Sequence, residues 1–190
     1  MTWKQLYTGK RFYSLDPRPE DIDILDIAHG LSMICRFGGH CKQFYSVAQH
    51  SVLVARHASQ EDCLPALLHD AKEVYSPFGD LPQPDKQAIA ERHPDVAATM
   101  KQIDGAIEKA VAQRFGLPYP IKSKAIGVLD TRILHDERRD VMVPTSDVWQ
   151  VPYTELGVTI EHWKPEIARA KFLDLFDQAL VWYKTYGSAA

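Results

Sequence analysis

Apolar side chains recur every three or four residues along most of this chain, which is the spacing of helices that bury one face. The first such stripe is formed by Ile24, Ile27, Leu31 and Ile34. Glycines and prolines separate each stripe from the next, and both residues are unfavourable inside a helix. The pattern therefore predicts an all-α fold.

The helical pattern divides the chain into segments of ordinary helix length. Helices are predicted over residues 22–36, 47–58, 63–75, 86–93 and 95–115, then from the N-cap Ser123 and from Pro165 onward. Residues 1–20 predict a short hairpin or an extended arm, and residues 143–163 predict a loop with one short strand near 158–160. Without repeats or linkers, residues 1–190 are predicted to form a single domain of six or seven helices.

Composition excludes several classes of function. A net charge of −3 provides no basic field for nucleic acid. No apolar run approaches the roughly 20 residues of a membrane span, and the N-terminus lacks the apolar core of a signal peptide. Three cysteines without CxxC spacing favour reduced thiols. These features predict a cytoplasmic protein that binds neither nucleic acid nor membrane.

A histidine and two carboxylates interrupt an apolar stretch of the third predicted helix, at His69, Asp70 and Glu73. Carboxylates rarely lie in such surroundings unless something pairs with them, and a divalent cation is the obvious candidate. At about 100° per residue, Glu73 falls between the directions of His69 and Asp70. Glu73 would then orient or deprotonate water beside a metal ion. A buried histidine–acid pair that only packs the core is the alternative.

A second His-Asp pair, His135-Asp136, has different surroundings. It begins a run of charged residues that extends to Asp140. Such a run is most simply a solvated helix face, so no ligands are predicted there.

Two further histidines lie on the second predicted helix. His50 interrupts the apolar stripe between Val47 and Val54, so it should face inward. His57 has the same direction but lies about 10 Å further along the axis. Since metal–nitrogen bonds are about 2.1 Å, only one of the two can bind the ion. We predict that His50 is the ligand and that His57 lies on the surface.

A fourth ligand should be an acid on another helix. The residues that precede Asp130 in the sequence are more apolar than those before any other acid in the later part of the chain. An interhelical ion pair is the alternative role for Asp130. Two histidines and two aspartates suit Mn²⁺, Fe²⁺, Co²⁺ or Zn²⁺, with Mg²⁺ as a further candidate. A six-coordinate ion would keep two positions open for water and a phosphate oxygen, as in metal-assisted hydrolysis.

The order His50…His69-Asp70…Asp130 resembles the signature of the HD-domain metal-dependent phosphohydrolases, which are all-α. Residues 46–51, 69–74 and 79–82 are similar to the YfbR-like bacterial 5′-deoxynucleotidases and to phage HD-domain dATP triphosphohydrolases. The similarity is strong from about residue 24 to 140 and weak at both ends. It implies an HD-type helical bundle with these four residues as metal ligands.

The resemblance also implies roles for other residues. Glu73 would hold or activate the attacking water, and Asp80 would help to protonate the leaving oxygen or position water. Arg36 and Phe37 match a basic–aromatic pair that grips phosphate or sugar and stacks on the nucleoside. The family usually has tryptophan in place of Phe37. Lys86 matches a basic residue that meets phosphate.

Two features depart from the family pattern. The connection at residues 74–78, which precedes Asp80, is about two residues longer than in the bacterial nucleotidases. His40 has no counterpart. A contact with substrate, a contact with a second metal, and a loop histidine without a role all stay open for it.

The resemblance implies hydrolysis of deoxynucleoside 5′-monophosphates. One alternative is a triphosphohydrolase that releases triphosphate from a dNTP such as dATP. Another is a nucleotide- or metal-binding sensor without turnover. Family analogy also implies a homo-oligomer, a dimer or larger.

Overall fold

Helices make up most of the computed structural model, which describes residues 2–187. In chain order they are α1 (Ile24–Met33), α2 (Val47–His57), α3 (Cys63–Leu68), α4 (Lys72–Tyr75), α5 (Gln83–Arg92), α6 (Pro94–Phe115), α7 (Lys124–Asp140) and α8 (Pro165–Tyr186). Short 3₁₀ turns occur at Pro19–Asp21 and Phe37–Gly39. The predicted all-α class is confirmed. The assignment of residues 1–190 to one domain stays a prediction, and residues 1 and 188–190 lie outside the described part.

The N-terminal segment forms a hairpin, which is one of the two predicted alternatives. Strand β1 (Lys4–Gln5) pairs antiparallel with β2 (Arg11–Phe12). The turn between the strands is fixed to α1, because the backbone N–H and hydroxyl of Thr8 both donate to the buried carboxylate of Asp26. Lys4 Nζ donates to the carbonyl of Tyr75, 2.7 Å away, at the C-terminal end of α4. The hairpin therefore closes one end of the segment that carries the His-Asp motif.

Helix α2 lies at the centre of the helical packing. It packs against α1, α3, α7 and α8, and every residue from Val47 to Ala55 is buried. The Ser46 side chain caps it by accepting from the backbone N–H of Gln49, as the sequence predicts. A helix buried on all sides places His50 inside the protein.

The third predicted helix is not continuous, because residues His69–Ala71 separate α3 from α4. The Nδ1 atom of His69 lies 2.7 Å from the carbonyl of Ala66, which a continuous helix would pair with the backbone N–H of Asp70. The backbone tightens here to bonds between residues three apart, from Ala71 to Leu68 and from Glu73 to Asp70. The His69 side chain thus competes with the helix backbone, which periodicity alone does not reveal.

The predicted solvated face at residues 135–140 is also wrong. Asp136 and Glu137 are fully buried. Asp136 accepts from the backbone N–H groups of Leu156 and Gly157, so loop backbone replaces water around its carboxylate. Residues 143–163 form a loop as predicted, but the structure assigns no strand at 158–160.

Nothing in the described helices meets the length and apolarity that a membrane crossing requires.

Helices α1 and α4 approach closely at a glycine. A Cβ atom at Gly30 would lie 2.6 Å from Val74 Cγ1, which is inside van der Waals contact. This close approach supports α4, which carries Glu73. The absence of a side chain at position 30 therefore helps to set the position of a predicted catalytic residue.

We expect Gly30→Ala to lower the free energy of unfolding by up to about 2 kcal/mol in denaturant titrations. Overpacking costs about 1–3 kcal/mol, and the better helix propensity of alanine offsets about 1 kcal/mol of that. In a Val74→Ala background the contacts with both Cγ atoms are removed and only the 3.2 Å contact with Cβ stays, so the same substitution should cost less than in wild type. An equal loss in both backgrounds would show that the contact with Val74 does not constrain position 30.

Candidate metal centre

Three side chains from separate parts of the fold converge at one buried point. His50 comes from α2, His69 from the turn between α3 and α4, and Asp130 from α7. One ligand atom of each residue lies within 4.8 Å of those of the other two. Asp130 Oδ1 is 2.9 Å from His50 Nε2 and 3.8 Å from His69 Nε2.

Asp70 joins the same group from the other side. Its Oδ2 atom lies 3.2 Å from His69 Nε2 and 3.7 Å from His50 Nε2. The structure therefore brings together all four residues that the sequence predicts as ligands. That they hold a metal stays a prediction.

Hydrogen bonds at the far side of each imidazole fix which nitrogen faces the cluster. His50 Nδ1 lies 2.8 Å from a Glu137 oxygen, and His69 Nδ1 lies 2.7 Å from the carbonyl of Ala66. A carboxylate and a carbonyl only accept, so both Nδ1 atoms carry the proton in the neutral rings. The Nε2 lone pairs of His50 and His69 are therefore directed into the cluster.

This arrangement leaves acceptors facing one another. The Nε2 atoms of His50 and His69 are buried and make no hydrogen bond of acceptable geometry within the described part of the chain, although carboxylate oxygens lie close to both. His50 Nε2 and Asp130 Oδ1 are 2.9 Å apart, and two acceptor atoms at this distance repel unless a cation, either a proton or a metal ion, lies between them. The donor set of two nitrogens and carboxylate oxygens suits a borderline divalent ion. The residues present thus fit such a metal.

The electrostatics of the cluster favour added positive charge. Burial alone would lower the pKa of His69, but the neighbouring Asp70 and Asp130 carboxylates raise it to about 10. Burial opposes ionisation of Asp130, yet the two imidazoles hold the pKa of its carboxyl well below the usual range. A divalent cation would replace the proton that His69 otherwise retains beside these two ionised carboxylates.

Glu137 supports the cluster from outside. One carboxylate oxygen binds His50 Nδ1, and the Arg36 guanidinium contacts both oxygens, with 3.1 Å from Nη2 to Oε2 and 3.1 Å from Nε to Oε1. Glu137 is fully buried and Arg36 is nearly so. Despite burial, Arg36 lowers the pKa of Glu137, so the carboxylate stays ionised and orients the His50 ring.

Sequence reasoning missed both Glu137 and a lysine at the site. Glu137 lies two helical turns after Asp130 and therefore on the same face of α7. This spacing is the sequence pattern that could have identified Glu137 as a residue of the site. Lys122 precedes α7, and its ammonium contacts Asp130 Oδ2. No periodic pattern points to a residue in that position.

The two predicted catalytic acids lie beside the cluster. Glu73 is buried, and its Oε2 atom has no hydrogen-bond partner among the described residues. Burial, followed by the charges of Asp70 and Asp80, raises the pKa of Glu73 well above its ordinary value. Burial also raises the pKa of Asp80, while Arg36 and Lys86 oppose that rise. Lys86 therefore lies within electrostatic reach of Asp80, on α5.

The remaining predicted residues lie outside the cluster. Phe37 is half-buried, with the Arg36 guanidinium carbon 5.1 Å from its ring centroid. His40 is exposed at the end of the 3₁₀ turn and is not part of the described ligand group. His57 is exposed, as predicted, and its Nδ1 atom lies 2.8 Å from the carbonyl of Leu53.

Comparisons with known proteins give relatives that match most of the chain. The uncharacterized protein YfdR of Escherichia coli (strain K12) is 38% identical over 160 residues, which cover 82% of this chain and 84% of that protein. The uncharacterized protein RCAP_rcc00048 of Rhodobacter capsulatus is 39% identical over 142 residues, covering 68% of this chain and 67% of that protein. No protein-family model matches. Neither relative's name states an activity, so the chemistry rests on the residues of the site.

We expect Glu137→Gln to reduce both stability and metal affinity. The substitution leaves the buried Arg36 cation without a counter-charge, and loss of one partner of a buried ion pair costs about 3–5 kcal/mol. It also removes the charge that orients His50, which typically weakens metal binding by about 10- to 100-fold. Urea unfolding in a chelator and Mn²⁺ titration of the folded protein measure the two effects.

Glu166→Gln is the matched control, because Glu166 is exposed on α8. Its change in stability should stay within about 0.5 kcal/mol. Unchanged Mn²⁺ affinity in Glu137→Gln would show that Glu137 does not position His50.

Proposed function

This chain belongs to the family of the Escherichia coli protein YfdR, and we propose that it is a divalent-metal-dependent phosphohydrolase of nucleotides. The preferred substrate is a deoxynucleoside 5′-monophosphate, from which the enzyme releases phosphate. The observation that carries the proposal is the buried approach of His50 Nε2 to Asp130 Oδ1 at 2.9 Å, which only a cation makes favourable. The similarity of the His…His-Asp…Asp order to HD-domain phosphohydrolases supplies the reaction class.

His50, His69, Asp70 and Asp130 would hold the cation. When bound, a divalent ion supplies positive charge that polarises the phosphate and promotes ionisation of water. Imidazole ligands favour Mn²⁺, Fe²⁺, Co²⁺ or Zn²⁺, whereas Mg²⁺ prefers an all-oxygen set.

Glu73 is the proposed acceptor of the proton from the attacking water. Its pKa is raised by burial and by the nearby Asp70 and Asp80 charges. A carboxyl with a raised pKa is a stronger base than an ordinary glutamate and suits proton transfer near neutral pH. Its Oε2 atom, which has no hydrogen-bond partner within residues 2–187, can accept a hydrogen bond from that water.

Asp80 is the proposed donor to the leaving oxygen. Burial raises the pKa of its carboxyl, which favours the protonated form that a general acid requires. Lys86 lies close enough to influence this carboxyl, and it would neutralise charge on the departing group.

Arg36 is assigned to the phosphate. Its contacts with Glu137 use Nε and Nη2, so Nη1 is the nitrogen that we assign to a phosphate oxygen. Phe37, next in the chain and beneath the guanidinium, would contact the nucleoside.

A second candidate reaction is release of triphosphate from a dNTP. It is favoured by the presence of three lysines near the site, which is more positive charge than one phosphate requires. Lys72 lies within electrostatic reach of Asp70 and Glu73, Lys86 near Asp80, and Lys122 against Asp130. Identification of the products distinguishes the two reactions, because the first releases monophosphate and the second triphosphate.

We propose further that the protein works in the cytoplasm as a homo-oligomer. Free thiols at all three cysteines accord with a reducing compartment. Oligomerisation rests on analogy with the HD-domain phosphohydrolases.

We expect Glu73→Gln to lower kcat for the hydrolysed deoxynucleotide by about 10²- to 10⁴-fold, the usual contribution of general base catalysis. Mn²⁺ affinity should change little, because Glu73 is not assigned as a ligand. Initial rates of phosphate or triphosphate release, measured over a panel of dNMPs, NMPs and dNTPs with Mn²⁺, Co²⁺ or Zn²⁺, test both statements.

Glu91→Gln, an exposed substitution on α5, is the control and should keep wild-type rates. The absence of any product from the wild-type protein with every metal would contradict the proposal. Stable binding of metal and nucleotide without turnover would instead identify a sensor.

A further inference from the structure

Polar side chains of α7 hold the backbone of the loop that follows it. Asp136 and Asp140 accept hydrogen bonds from backbone N–H groups of the loop. Four other side chains of α7 contact loop carbonyls between residues 145 and 158: Arg132, His135, Arg138 and Arg139. These are the residues of the charge run and its neighbours. Because many side chains of one helix bind the backbone of this loop, the side chains of the loop itself are held in defined positions.

One side chain that this loop presents is Trp149. Its neighbour Val148 is 67% exposed, yet Trp149 is half-buried. Its ring contacts Phe37, whose ring centroid lies 5.7 Å from that of Trp149 at an interplanar angle of 45°. The anchored loop therefore places a large aromatic ring against a residue of the site.

Direct contacts connect this aromatic pair to the metal centre. The guanidinium of Arg36 lies 5.1 Å from the Phe37 ring centroid, and its Nη2 atom donates to Glu137. Glu137 in turn binds the Nδ1 atom of His50. The ring pair thus adjoins the cation that we assign to phosphate, where the remainder of a nucleotide would lie.

The backbone at Phe37 is held in an uncommon conformation. Its φ of +55° lies in the left-handed region, which residues with a side chain rarely adopt. Bonds from Gly39 N–H to the Arg36 carbonyl and from His40 N–H to the Phe37 carbonyl stabilise this turn. Strained residues of this kind occur preferentially at binding sites, because the surrounding structure compensates their cost. Here the strain places the Phe37 ring between Arg36 and Trp149.

We propose that Trp149 is a substrate-binding residue and that Trp149 and Phe37 together form a subsite for the planar heteroaromatic base of a nucleotide. This inference rests on the proposed function. It adds a second aromatic side chain, Trp149 from the loop between α7 and α8, to the predicted contact of Phe37 with the nucleoside. Removal of one stacked aromatic side chain typically weakens binding of a base by about 5- to 150-fold. The subsite should therefore distinguish a nucleotide from the same sugar phosphate without a base.

The test compares dAMP with 2-deoxyribose 5-phosphate, which shares the phosphate and sugar but lacks the base. KM and kcat for both compounds are measured with Mn²⁺ in wild type, Trp149→Ala, Trp149→Phe and the loop control Val148→Ala. Equilibrium binding of both compounds is measured by calorimetry in a Glu73→Gln background, where turnover is slow.

Trp149→Ala should weaken dAMP by about 5- to 150-fold and change 2-deoxyribose 5-phosphate less than about twofold. Trp149→Phe should retain most of the affinity for dAMP, and Val148→Ala should match wild type. Equal weakening of both compounds in Trp149→Ala would assign the ring to loop packing and overturn the inference.

Failure of the subsite and failure of the proposed function give different results. If wild type hydrolyses both compounds and Trp149→Ala changes neither, the phosphohydrolase proposal stands and the subsite is wrong. If wild type neither binds nor hydrolyses either compound or any deoxynucleotide, both proposals are wrong.

Discussion

The buried carboxylate of Glu137 is the interaction on which the rest of the site depends. It accepts from His50 on one oxygen and pairs with Arg36 on both, so it joins α7 to the central helix α2 and to the turn before it. This one group fixes the proton on His50 Nδ1, directs Nε2 towards Asp130, and holds Arg36 beside the cluster. The ionised state of Glu137 depends on Arg36, so the ligand geometry and the assigned phosphate contact are energetically linked.

Helix α7 serves two surfaces with two sets of residues. Asp130 and Glu137, two turns apart, face α2 and the metal centre. Asp136 and Asp140 instead bind the backbone of the following loop, which brings Trp149 to Phe37. The same helix thereby positions the proposed catalytic end and the proposed nucleobase end of a substrate.

Sequence reasoning predicted the helical class and all four convergent residues, because helical periodicity marks which faces turn inward. His50 and Asp130 stand out only because apolar neighbours surround them. The continuous third helix was wrong since the His69 side chain takes the Ala66 carbonyl, a local competition that periodicity does not encode. Glu137 was missed because its partners Arg36 and His50 lie 101 and 87 residues earlier in the chain. Trp149 was missed because no local pattern specifies the course of the loop that brings it to Phe37.

The central claim is that His50, His69, Asp70 and Asp130 form a divalent metal site. A crystal of the protein soaked in Mn²⁺ and measured with anomalous scattering tests it most directly. We predict one strong anomalous peak between the Nε2 atoms of His50 and His69 and the carboxylates of Asp70 and Asp130, within bonding distance of all four side chains. A crystal with ordered side chains at these residues and no peak among them would contradict the claim.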